Sequence, residues 1–281
     1  MKKMKRFLAL ALATVTVAGC LAGCGSSDTK QTETTKNDKT EAKYDLSKVK
    51  LLHDGELSVG AEVGYPPFES FADDGTTAIG FDVDIVSEIA DRLGLKVNVV
   101  NTGFDGIFAG IGVNYDIVCS AVTITPEREA TMLFSTPYIS NYQTVVVAKD
   151  SDLQINSLND LDGLSAGVQK ETTSDILLSD YKDTGSIDVT IVANKQVISS
   201  FTQLENGEID VVVCDSSVAD GYVAKNPDKY KIAYKDDKEP EDFGIALAQD
   251  NVELQKIINE ILADLEEEGW LQDESDYWFG A

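Results

Sequence analysis

From residue 50 onward the chain alternates short apolar runs with stretches whose apolar residues recur at helical spacing, which predicts α/β architecture. Strand-like runs are "ELSVGAEV" (56–63), "KVNVVN" (96–101), "YDIVCSAVTI" (115–124) and "YQTVVVAKD" (142–150). Later ones are "LSAGVQ" (164–169), "DVTIVA" (188–193), "IDVVVCD" (209–215), "YKIAY" (230–234) and "FGIALAQ" (243–249). "FDVDIVSEIADRLGL" (81–95) is helical and ends at Gly94, and "NVELQKIINEILADLEEEG" (251–269) is an amphipathic helix with a glycine stop.

Within this pattern "LSVGAE" (57–62) is echoed by "LSAGVQ" (164–169), and "YDIVCS" (115–120) by "IDVVVCDS" (209–216). The pairs keep their order about 100 residues apart, and each second member follows an apolar helix-like stretch. Two similar α/β lobes are the simplest inference. In open α/β sheets ligands bind at the carboxyl ends of the strands.

One stretch carries a local conflict. In "AVTITPERE" (121–129) Thr125 fits an N-cap, Pro126 a first helical position, and Glu127 and Glu129 suit the positive helix end. Arg128 is a cation where the helix dipole disfavours one.

Composition narrows the chemistry. The 281 residues, 43% of them hydrophobic, suffice for one large or two medium domains. A formal charge of −26 argues against nucleic acid, which needs clustered Lys and Arg. A single histidine, His53, argues against Ser/His or Cys/His catalysis and histidine-ligated metals, and it is expected to be ordinary. No cofactor or metal is implied.

Residues 1–23 have the make-up of a targeting segment. Lys2, Lys3, Lys5 and Arg6 precede an apolar run of 13 (7–19), too short to span a bilayer, which takes ~20 residues. "LAGC" ending at Cys24 resembles the lipobox of bacterial lipoproteins, and "VAGC" ending at Cys20 is a second candidate. A lipid on Cys24 would tether a soluble domain outside the cell. Residues 24–45, almost devoid of large apolar side chains, read as a flexible linker. Two cysteines remain in the domain, Cys119 and Cys214, expected as buried thiols rather than a disulfide.

The polar and aromatic residues at strand ends suggest a ligand. Arg128 can grip a carboxylate through two charge-assisted hydrogen bonds, with Thr123 and the backbone at Thr172 and Thr173 completing its shell. Asp215, on the other lobe, can hold an ammonium, and Tyr65 and Phe104 offer flat apolar faces. Together they describe an α-amino acid pocket whose lobes close by hinge motion. Each residue alone has an ordinary alternative: Arg128 a surface helix charge, Asp215 an N-cap, Tyr65 part of the core.

At the level of motifs, "GYPPFE", "GFDVDI", "FDGIFAGI", "SAVTITPERE…FSTPY", "VQKETTS", "IDVVVCD" and "EEGWLQD…YWFG" resemble the family 3 extracellular solute-binding proteins over roughly residues 50–281. These are amino-acid-binding components of ABC importers, lipid-anchored in Gram-positive bacteria. The resemblance implies the type II periplasmic binding protein fold, two Rossmann-like lobes with a ligand cleft between them. Lobe 1 is then 46–141 and 248–281, lobe 2 is 147–241, and the hinge crossings are 142–146 and 242–247. It further implies that Arg128 and Thr123 bind the ligand carboxylate. Asp215 and the Ala121 carbonyl would take the ammonium, Tyr65 and Phe104 form the walls, and Thr172 and Thr173 form the second-lobe turn. That turn often reads Gly-Thr-Thr, whereas Glu171 stands here, and a glutamate adopts φ > 0 less readily than glycine.

Glu62 and Ser120 fall where family members meet the ligand side chain. Two negative groups, Glu62 and Asp215, against Arg128 favour a ligand of charge +1 such as lysine, arginine or ornithine, then glutamine. The expected partners are that amino acid, an ABC permease and, through the lipid, the extracytoplasmic face of the cell membrane; the expected state is monomeric. The alternatives are a periplasmic dehydratase using Glu171 or Glu62 as acid/base, and a sensing module for a separate receptor.

Overall fold

The computed structural model describes residues 43–280. The leader, Cys20, Cys24 and the linker up to residue 42 lie outside the described residues. The linker was expected to run through residue 45, but Tyr44 is already buried and its hydroxyl donates to Asp264 Oδ2 at 3.1 Å, while Lys43 pairs with the same carboxylate.

The first lobe begins with β1 (Glu56–Ala61), the hairpin β2 (Ser70–Phe71) and β3 (Ala78–Ile79), α1 (Phe81–Leu93) and β4 (Lys96–Asn101). β5 (Ile117–Val118), the single turn α2 (Pro126–Glu129) and β6 (Leu133–Phe134) follow, and β7 (Ile139–Asn141) leads out of the lobe. The second lobe holds β8 (Gln143–Ala148), β9 (Ser165–Gln169), α3 (Thr173–Asp183), β10 (Thr190–Asn194), α4 (Val197–Glu205), β11 (Val211–Asp215), α5 (Ser216–Lys225) and β12 (Tyr230–Lys235). β13 (Glu241–Phe243) returns to the first lobe, which β14 (Ala246–Leu247), α6 (Val252–Glu267) and α7 (Trp270–Phe279) complete.

Two five-stranded sheets result, ordered β4-β1-β5-β14-β6 and β10-β9-β11-β8-β12. The fold is mixed α/β with two lobes. The first three strands of each sheet are parallel, and each sheet then accepts an antiparallel strand just after a crossing: β14 in the first and β8 in the second. Buried on both faces, β1 and β11 are apolar almost throughout, as parallel strands under helices must be.

The sequence echo has a physical content here, because β1 and β9, and β5 and β11, occupy equivalent places. In each lobe a serine in the first half of β1 or β9 is clamped by an aspartate that precedes the neighbouring strand, β5 or β11. Asp116 Oδ2 accepts from the Ser58 amide (2.8 Å) and hydroxyl, and Asp210 Oδ2 from the Ser165 amide (2.8 Å) and hydroxyl (2.6 Å). Two residues on, Gly60 lets Tyr115 pack against bare backbone and Gly167 does the same for Ile209.

The crossing is a short antiparallel ribbon pairing Ile139 with Phe243 and Asn141 with Glu241. It lies slightly ahead of the expected 142–146 and 242–247, since Gln143 already starts the second sheet and Ala246 already belongs to the first.

Three local expectations need correction. The apolar run 115–124 is a ladder strand only at Ile117–Val118, and beyond it the Ala121 amide goes to the buried Asp82 carboxylate instead of a neighbouring strand. The helix expected to start at Pro126 is one turn long, capped as anticipated by Thr125, whose Oγ1 accepts the Arg128 amide at 3.3 Å. Gly269, at φ 76°, ends α6 but also turns the chain straight into α7. Phe279 of α7 packs on Phe81 and Phe68, with ring centres 5.1 and 5.3 Å apart. Cys119 and Cys214 are free and buried, and His53 is exposed in a turn.

Candidate functional site

The strand ends of both lobes meet in a narrow cleft lined by Tyr65, Phe104, Ser120, Ala121, Thr123, Arg128, Gln169, Thr172, Thr173 and Asp215. Nine of the ten residues proposed from sequence are therefore gathered there. Glu62 is not among them: it is buried behind Gln169, whose Nε2 donates to Glu62 Oε2 at 2.7 Å.

Arg128 is buried, with 8% of its surface exposed, so it is not a surface helix charge. Its short helix aims the guanidinium inward. Nη1 donates to the Thr123 carbonyl (2.8 Å) and Nη2 reaches the Glu171 carbonyl of the second lobe (3.3 Å). The guanidinium carbon lies over the rings of Phe108 (5.1 Å) and Phe104 (5.8 Å). Burial lowers its pKa, opposed by the charges of Glu241 and Asp215. Carbonyls and rings hold it, and among the described residues no carboxylate pairs with it; a buried cation so placed favours an anion.

Asp215 precedes α5 but does not cap it. Its Oδ2 accepts the Tyr65 hydroxyl at 2.5 Å across the cleft, and Oδ1 has no partner among the described residues. Burial, with Glu241 nearby, pushes its pKa up to about 7. Glu62 is likewise pushed up to about 7, chiefly by burial, and its Oε1 is unpartnered. Two buried carboxylates with bare oxygens make the cleft ready for a cation.

Ser120 donates to Glu69 Oε1 (2.6 Å) and accepts the Glu62 amide (3.0 Å), so its hydroxyl is already committed. Thr172 caps α3, accepting the Asp175 amide at 3.4 Å. The first turn of such a helix presents free N–H groups to an anion. Glu171 does adopt the left-handed backbone that the turn requires, at φ 64°. Its carboxylate is turned away from Arg128 and accepts the Gly106 amide of the opposite lobe at 3.0 Å, so the altered turn keeps its shape.

Sequence reasoning missed Gln169 and Glu241. Gln169 was findable, because it stands at the echo position of Glu62. Glu241, on the crossing strand, bridges both lobes: its carboxylate accepts from Thr123 (3.1 Å), Thr173 (2.8 Å) and Gln143 Nε2 (3.0 Å). It thus occupies the Thr123 hydroxyl assigned to a ligand carboxylate. Nothing distinguishes it within the acidic stretch "DDKEPEDF".

Residues 57–281 match the family described as bacterial extracellular solute-binding proteins, family 3. The chain belongs to this family. It is 30% identical over 228 residues to ABC transporter arginine-binding protein 1 of Escherichia coli, covering 79% of this chain and 90% of that one. With the L-cystine-binding protein TcyJ of Escherichia coli it shares 32% identity over 237 residues, covering 84% and 86%. Among solved structures it resembles a mutant of ArgBP from T. maritima, with a TM-score of 0.75 and 36% identity over 81% of this chain and 96% of that one. It also resembles the ancestral amino acid-binding protein AncCDT-1, a precursor of cyclohexadienyl dehydratase, with a TM-score of 0.72 and 32% identity over 80% and 96%. The lobes are those of the type II periplasmic amino acid binding proteins, and the relatives are amino acid binding proteins of ABC transporters.

Proposed function

We propose that this chain is an extracytoplasmic amino-acid-binding lipoprotein that captures an L-amino acid and delivers it to the permease of an ABC importer. The observation that carries the reading is the pairing of Arg128 and Asp215 across one cleft, a buried cation and a buried anion, each left without an opposite charge in contact. An α-amino acid supplies both missing partners, with its carboxylate on Arg128 and its ammonium on Asp215. Closure of the lobes around it follows from their separate contributions.

The ligand is a basic amino acid: arginine, lysine or ornithine. Glu62, Asp215 and Glu241 face a single Arg128, and a cationic side chain reaching past Gln169 to Glu62 offsets the excess. Glutamine, with its amide on Glu62, is second. The arginine-binding relatives support this order; the cystine-binding one does not. Calorimetry with these four, cystine and glutamate tests it, and tighter binding of glutamate than of arginine would refute the role of Glu62.

A dehydratase is not favoured, although the likeness to AncCDT-1 keeps that chemistry testable. Of its candidate acid/bases, Glu171 is bonded to Gly106 and lies by Lys170 (3.6 Å), and Glu62 sits behind Gln169. Incubation with arogenate, followed for loss of substrate, tests it. Lipid on Cys24 is tested by palmitate labelling of wild type and Cys24→Ala. A monomeric state is tested by light scattering, and uptake of labelled amino acid in a deletion strain separates transport from sensing.

A further inference from the structure

Beneath the cleft lies a buried carboxylate that ligand binding does not use. Asp82, in the "GFDVDI" stretch at the start of α1, is 1% exposed. Its Oδ2 accepts the Ala121 N–H at 2.7 Å and the Tyr138 hydroxyl at 2.9 Å. It does not cap its own helix, whose N-cap is Gly80. A buried acid is costly to keep where an apolar side chain of similar volume would pack, so its retained bonds need a purpose.

Ala121 supplies one. It has φ 49°, and Ala121 and Glu171 are the two non-glycine residues with positive φ among the described residues. Ala121 lines the cleft and the Glu171 carbonyl accepts from its Arg128, and backbone strain gathers where it serves a site. For an alanine this conformation is disfavoured by roughly five- to thirtyfold, so something must hold it. The sheet does not, since β5 ends at Val118. One more backbone bond to β1 follows, from the Cys119 amide to the Gly60 carbonyl (3.3 Å); past Ala121 the chain is tied at Val122, whose carbonyl accepts the Gly244 amide (3.0 Å), and at Ile124, whose amide donates to the Asp242 carbonyl (2.8 Å). Between those points Glu69 holds the Ser120 hydroxyl and Asp82 holds the Ala121 amide.

We propose that Asp82 is a positioning residue for the cleft: its buried carboxylate keeps Ala121 in the left-handed conformation and so fixes how Ser120, Ala121 and Thr123 face the ligand. Tyr138 steadies the same carboxylate oxygen. The link to ligand affinity rests on the amino-acid-binding reading above; the link between Asp82 and the Ala121 backbone does not.

The test uses Asp82→Ala, Asp82→Asn and Ala121→Gly, with Asp82→Ala also combined with Ala121→Gly. Kd for L-arginine is measured by calorimetry and Tm of the ligand-free protein by circular dichroism. Asp82→Ala is expected to weaken binding about tenfold or more and to lower Tm. Adding Ala121→Gly restores Kd to within about threefold of Ala121→Gly alone, because glycine takes φ 49° untethered, whereas Tm stays low because the buried bonds remain lost. An Asp82 that serves packing alone would leave the affinity loss in place when Ala121 becomes glycine. That result, or an unchanged Kd in Asp82→Ala, overturns the proposal.

If Asp82→Ala does not fold, Asp82→Asn keeps the shape and a weaker acceptor, and the amide proton of Ala121 is read by NMR without ligand. A downfield resonance in wild type that moves upfield in Asp82→Asn supports the tether, and an unmoved one overturns it. Wild-type protein that binds no amino acid refutes the ligand reading while leaving this measurement decisive for Asp82.

Discussion

Binding of arginine should release protons. Burial pushes the pKa of Glu62 and of Asp215 up to about 7, with Glu241 adding to the rise for Asp215. Gln169, bonded to Glu62, and the nearby Gln196 favour the ionised Glu62, as Tyr65 and Arg128 favour the ionised Asp215, but these do not offset desolvation. A guanidinium on Glu62 and an ammonium on Asp215 favour the ionised carboxylates and pull both pKa values down. Protons then compete with the ligand, and affinity falls as pH drops through 7. Between pH 8 and pH 6 the loss is about tenfold for one such group and about a hundredfold for both. Near pH 6 arginine should displace about two protons, seen by calorimetry in buffers of different ionisation enthalpy. Glutamine, cationic only at its ammonium, should displace about one, and Glu62→Gln should remove one from arginine. Glu69 and Asp82 lie behind Ser120 and Ala121 and keep their surroundings in both states, so they largely cancel. An affinity for arginine that is flat from pH 6 to 8, or that rises on acidification, would refute the reasoning.

The same groups set the stability of the ligand-free protein: their pKa values are raised by folding, so the stabilisation is present below pH 4 to 5 and lost as pH rises through 7. Tm by calorimetry should therefore fall from pH 5.5 to pH 8, less steeply in Glu62→Gln. Glu171→Gly relieves the φ 64° backbone but removes the bond to Gly106 across the cleft. Ligand-free Tm should not fall, while the dissociation rate of bound arginine by stopped flow should rise about three- to tenfold. Gly60→Ala puts a Cβ 2.6 Å from the Tyr115 ring, which cannot swing away because its hydroxyl is bonded to the Ile107 carbonyl. Chemical denaturation should show a loss of about 1–3 kcal/mol.

The lobes were legible because two signals agreed: apolar strand periodicity and the repeat of "LSVGAE" in "LSAGVQ". The serine–aspartate clamps and the paired glycines explain why the repeat survives in those letters rather than in others. Arg128 was legible because it contradicted local helix chemistry, and Asp215 because it ends a strand. The rest depends on contacts between distant segments. Whether an acid caps a helix, as Asp215 could have done, or faces a cleft is decided by the opposite lobe, here by Tyr65. Glu241 and Asp82 carry no local mark because their partners lie 68 to 118 residues away for Glu241 and 39 to 56 for Asp82. The short β5 reads as a long strand because apolar alternation continues through residues 119–124, although the Ala121 amide leaves the ladder for the Asp82 carboxylate.

The proposed binding mode depends most directly on Arg128 as the anchor of the ligand carboxylate. Calorimetry of wild type and Arg128→Ala against the twenty amino acids and cystine tests it. Wild type should bind a basic amino acid most tightly, and Arg128→Ala should weaken every ligand that wild type binds by about a hundredfold or more, the cost of removing one partner from a buried charge pair. An Arg128→Ala protein that folds and binds as wild type does would contradict it.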